Sequence, residues 1–122
     1  MGTWGNRPWD NDAAADWFGE TMDTTQLCQK VEEALNLDIE DYYEEVRAAA
    51  SILLLLGHNY VWSVGDLDRH LELAATKLTE ILDANIFEGA EEFTKPIQEE
   101  IKVLRSRISK TENVDEVKWW QF

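Results

Sequence analysis

Apolar residues along this chain recur at helical spacing, three and four apart, and nowhere alternate as a half-buried strand would. The clearest stripe is Leu67, Leu71, Ala74, Ala75, Leu78, Ile81 and Leu82, with Asp66 standing where it would cap the helix. Leu27, Cys28, Val31, Ala34 and Leu35 make an earlier stripe that ends near Asn36. Between these, a helix starting after Asp38 carries the acidic turn Glu40-Asp41-Tyr42-Tyr43-Glu44-Glu45 and becomes apolar all round from Ala48 to Leu56. Gly57 should stop it. A helix that is apolar all round is a buried one, so this should be the central helix.

Near the start, Asp10-Asn11-Asp12 offers three residues that favour the N-cap, and a helix should run from there to about Met22. Asp23-Thr24-Thr25 then offers the next cap. The segment His58 to Gly65 is too apolar to stand in water and should pack on the bundle. The last stripe, Ala90, Phe93, Ile97, Ile101, Leu104 and Ile108, stays in phase across Pro96. Proline disfavours helix at the residue before it, so the expectation is a short helix from about Glu88, a break or kink, and a helix from Pro96 to Ile108. Five or six helices with short connections predict an all-α, compact, single-domain bundle over residues 1–122.

Composition adds two constraints. A single cysteine, Cys28, allows no internal disulfide and suits a reducing compartment, with the cytoplasm as the default. The first residues lack a charged start followed by an apolar run, so no secretory signal is expected. The longest apolar stretch, Ala48 to Leu56, is well short of the roughly 20 residues that span a bilayer.

The formal net charge is -14, and it is unevenly placed. From Met1 to Thr94 there are 20 acidic and 5 basic residues, against 5 and 6 from Lys95 to Phe122. Such a field repels nucleic-acid phosphates and anionic lipid and raises encounter rates with basic proteins. The expected partner is therefore a basic protein, with no nucleic acid and no membrane, and the acidic face at Glu40, Asp41, Glu44 and Glu45 is its candidate contact. Six tryptophans in the chain, with Trp119 and Trp120 close together before Phe122, add a second candidate, because tryptophan anchors interfaces at low entropic cost. That tail either folds back on its own bundle or docks on a partner.

No side-chain set earns a catalytic or metal assignment, and no cofactor is expected. His58 and His70 sit in no metal-ligand spacing. Asp66, Asp68 and His70 crowd one helix start, where capping, the helix dipole and exposure respectively account for them. Cys28, on an apolar face, reads as a small core hydrophobe.

The opening run resembles the signature of a family of small bacterial proteins known as domain of unknown function 4259. Its members begin Trp-Gly-x-x-x-Phe-x-Asn-Asp-x-Ala-x-Asp followed by an aromatic residue. The matching positions are Trp4, Gly5, Trp9 (in place of phenylalanine), Asn11, Asp12, Ala14, Asp16 and Trp17. Where the family has a Ser-Glu-Leu segment before its last helix, this chain has Ile86-Phe87-Glu88-Gly89-Ala90-Glu91. The resemblance implies no activity. Physically, the run should form an N-terminal aromatic hook over one end of the bundle, with Trp4 and Trp17 largely buried.

The leading expectation is a non-catalytic binding module, concretely an immunity-type inhibitor of a basic toxin or effector. The alternatives are a metal-dependent hydrolase built on Asp10, Asp12 and Asp16, and a structural homo-oligomer joined through the tryptophan tail.

Overall fold

The computed structural model describes residues 5–108. Trp4, Trp119 and Trp120 lie outside the described residues. Within them the chain forms five helices and no strand: α1 (Asp12–Thr25), α2 (Leu27–Leu35), α3 (Ile39–Leu56), α4 (Leu67–Asp83) and α5 (Glu91–Ser106). This is an all-α bundle.

Local chemistry sets the boundaries. Asn11 caps α1 by accepting from the Ala14 N–H at 2.8 Å, and three alanines follow that favour helix. Asp23-Thr24-Thr25 was the expected cap of the next helix, but these residues stay inside α1, where both threonine hydroxyls donate back to carbonyls one turn earlier. The break comes at Gln26, whose left-handed backbone (φ 55°, ψ 32°) ends α1 and starts α2 within one residue. Asp38 caps α3. Gly57 ends α3 with its N–H donating to the Leu53 carbonyl at 2.8 Å, in a backbone shape where a Cβ would collide with that same oxygen.

Two expectations at helix starts need correction. Asp66 holds the N-cap position of α4 without a side-chain capping bond. Its carboxylate instead accepts from Ser63 and Arg69. Nor does Pro96 break the last helix, because α5 is continuous through it. The N–H that proline lacks would have bonded the Glu92 carbonyl, and Glu92 and Pro96 are both exposed, so water can donate to that carbonyl in its place. The buried residues of α5, Ile97, Glu100, Val103 and Leu104, all follow Pro96 and fix that part of the helix to the core.

The core lies where α4 packs between α3 and α5, with α2 against α3. Leu35, Val46, Leu53, Leu71, Leu78, Ile81, Ile97 and Leu104 are completely buried there. The segment after α3 joins this core through Val61 and Trp62, as its apolar composition predicts. By contrast α1 buries only Met22. Its contacts are with α2, and it lies along the flank of the bundle.

Candidate functional site

Successive helices of the bundle run up and down, so the start of α3, the end of α4 and the start of α5 meet at one end. The rings there record it. Tyr43 meets Phe87 edge-on at 5.6 Å, and Phe87 stacks on Phe93 at 5.2 Å. The turn between α4 and α5 is tight, with left-handed backbone at Asn85, Glu88 and Gly89.

The four acids expected as a contact face, Glu40, Asp41, Glu44 and Glu45, are exposed on the first turns of α3. Asp83, Glu88, Glu91 and Glu92 join them from the α4–α5 connection, all exposed. Among the described residues, no ion pair engages the side chain of any of these eight. Glu40, Asp41, Glu91 and Glu92 occupy the first turns of two helices, where the positive end of the helix dipole favours a carboxylate by about 0.3–1 kcal/mol. One helical turn further along α3, Arg47 is held in a two-point clamp by the mostly buried Glu100, at 3.2 and 2.7 Å. That cation does not neutralise the face.

At the opposite end residues 5–10 form a hook over the bundle, and among the described residues its anchor is Trp9 and not Trp17. Trp9 is buried at 4% exposure and stacks on His58 at 4.6 Å. Trp17, expected inside, is 59% exposed, because it points off the outer side of a helix that itself only flanks the bundle. Asp10 is buried and accepts from the Arg7 backbone N–H and Nε, at 3.1 and 2.9 Å. Its carboxyl is held below the usual range by that Arg7 hydrogen bond. The glycine of the signature now has a reason: a Cβ on Gly5 would sit 2.6 Å from the Asp10 carboxylate oxygen.

Asp10, Asp12 and Asp16 therefore serve different tasks, with Asp10 closed onto Arg7 and the other two exposed, Asp12 and Asp16 on α1 itself. Among the described residues no group of three or more His, Cys, Asp or Glu side chains is placed to hold a metal ion.

His70 departs furthest from expectation. It is buried at 1% exposure. Trp62 Nε1 donates to its Nδ1 at 3.0 Å, and since an indole only donates, that nitrogen is the acceptor and Nε2 carries the proton. Nε2 lies 2.9 Å from Glu32, and Glu32 also takes Arg69 at 2.9 Å. Arg69 first, and His70 second, hold the Glu32 carboxyl at about 2. Both ring nitrogens are thus occupied, and the network ties α2, the 58–66 segment and α4 together. Spacing in the sequence could not disclose it, because Glu32 and Arg69 are brought together by the packing alone.

A cleft of about 740 Å³ separates α1 from the 59–66 segment, lined by Ala15, Gly19, Met22, Cys28 and Trp62 among others. Burial pushes the Cys28 thiol up, against forming the nucleophilic thiolate.

The family model described as Domain of unknown function (DUF4259) matches residues 2–118. The chain belongs to that family. In this member the signature glycine and the Asp10 beside it form one packed unit with Arg7. No curated protein and no solved structure matches the chain. No helix among the described residues is long and apolar enough to cross a membrane.

Proposed function

We propose that this member of the family is a non-catalytic protein-binding module, an immunity-type inhibitor that occludes a basic toxin or effector in the bacterial cytoplasm. The observation that carries this reading is the gathering of eight exposed carboxylates from three helix ends at one pole of the bundle, none of them ion-paired to another described residue. Acids so arranged add little to the stability of their own domain and produce a field that a cationic surface would feel at a distance.

Charges of this kind act mainly on the rate of association. Reversing Glu40 and Glu44 to lysine should slow association with a basic partner several-fold at low salt. The difference should shrink as the Debye length falls to about 8 Å or less. Stopped-flow rates across a salt series read this directly. Rates indifferent to both salt and charge reversal would defeat the proposal.

A further inference from the structure

The cleft beside α1 has room that its own walls do not use. Ala15 and Gly19 stand one helical turn apart on α1, and in the opposite wall Val61 is buried while Val64 is 85% exposed. A Cβ on Gly19 would meet nothing within 4 Å, so tight packing does not require this glycine. Inside a helix it costs stability relative to alanine, and it leaves bare backbone on which a flat ring can lie close. Tyr60, also lining the cleft, holds left-handed backbone (φ 73°), a conformation that bulky residues disfavour. Its ring is kept there against the local preference.

The described residues end near this wall. Arg107 Nη1 donates to the Leu53 and Leu54 carbonyls at 3.0 and 2.8 Å, in the last turn of α3, and the cleft-lining residues Asn59 to Val64 follow that helix within a few positions. Among the described residues nothing accepts from Arg107 Nε or Nη2, although both atoms are shielded from water. These two donors form the edge of a guanidinium that takes both oxygens of a carboxylate, and leaving them unmet is costly. Glu112 is the first acid after Arg107, and Trp119 stands eleven residues beyond Ile108. Eleven residues span at most about 36–40 Å, ample in a domain whose radius of gyration is about 13 Å. We infer that residues 109–122 fold back along the last turn of α3, with Glu112 closing the open edge of Arg107, and seat Trp119 and Trp120 in the cleft between α1 and the 59–66 segment. A cleft of about 740 Å³ is of the size that encloses a drug-sized ligand, which two indole rings match. Asp16 and Asp23, exposed at the same cleft, offer carboxylates to Lys118, the residue before the two rings. This docking does not depend on the role of the acidic pole.

Nuclear Overhauser spectra of the isotope-labelled full chain test this. Cross-peaks are expected from the Trp119 and Trp120 indole protons to the Met22 and Val61 methyl groups. In Gly19→Phe, whose new ring enters the cleft without a clash at Cβ, those cross-peaks should disappear while the circular dichroism stays helical. Trp119→Ala with Trp120→Ala, which alters no described residue, should shift the Met22 and Val61 methyl resonances. Glu112→Gln should shift the Arg107 Nε–H resonance, and an unmoved signal would overturn that contact. Indoles with no cross-peak to the cleft, or cleft methyl groups indifferent to the double alanine variant, would overturn the docking as a whole. So would cross-peaks that arise only between a labelled and an unlabelled chain, since the occupant would then belong to a second copy.

Discussion

At the hook end of the bundle Asp10 is closed upon by Arg7, Glu32 by Arg69 and His70, and Asp66 by Arg69 and Ser63. At the other end Glu40, Asp41, Glu44, Glu45, Glu91 and Glu92 stand exposed, none of them ion-paired to another described residue. The difference lies in what burial demands. A buried carboxylate without a partner costs several kcal/mol, so the buried Asp10 is closed onto Arg7, while the half-exposed Glu32 and Asp66 share Arg69. A carboxylate in water carries no such requirement, and the exposed pole is free to be shaped by what it meets. Stability should therefore concentrate at the hook and recognition at the pole.

The largest test of that division is within the hook. Replacing Trp9 with alanine should cost about 3–5 kcal/mol, as for a buried aromatic side chain, whereas Trp17→Ala should cost less than about 1 kcal/mol. Chemical denaturation of both variants measures the contrast, and equal losses would mean that α1 is anchored along its whole length.

Acid should act on the same end. Burial, helped by Arg107 and Arg7, lowers the His58 pKa from 6.5 to about 3. The unfolded chain then binds a proton that the folded chain refuses, so stability falls as pH drops through the window from about 6.5 to about 3. The loss should be a few kcal/mol at most. In His58→Gln that part of the acid limb should flatten, as followed by melting temperature against pH.

A smaller loss is expected from Trp62→Phe, which leaves the buried His70 Nδ1 without its donor and should cost about 1–3 kcal/mol. Neutralising Glu40 or Glu44 instead should leave denaturation within about 0.5 kcal/mol of the parent. The smallest effect should have the opposite sign. Glu88 holds a left-handed backbone (φ 51°) in the turn at the acidic pole, and Glu88→Gly should raise stability by about 0.5–1 kcal/mol by removing that strain. If it lowers stability, the Glu88 side chain is bound rather than free to be exchanged.

Much of the fold was legible in the sequence because helix periodicity and helix ends are local. The stripe from Leu67 to Leu82, the end of α3 at Gly57 and the cap at the start of α1 each follow from residues within one or two turns. The acids of α3 were equally legible as exposed, since a run of carboxylates has nowhere to go but water. What the sequence could not decide was which long-range pairs would meet. His70 read as an exposed residue at a helix start, and packing buried it between Trp62, eight positions earlier, and Glu32, thirty-eight positions earlier. Trp9 and Trp17 look alike in the signature, and only the placement of α1 on the flank sent one inside and left the other out. Pro96 carries a local rule against helix, yet α5 runs through it, because Glu92, whose carbonyl loses its donor, is open to water. Local propensities amount to fractions of a kcal/mol per residue, with a few kcal/mol for a proline, while burial of a side chain in a shared core brings comparable or larger gains from partners far along the chain. The sequence by itself therefore determined where the helices are and which faces are apolar, and the tertiary structure decided which charges are matched, which tryptophan is an anchor, and that acids from three helix ends share one pole.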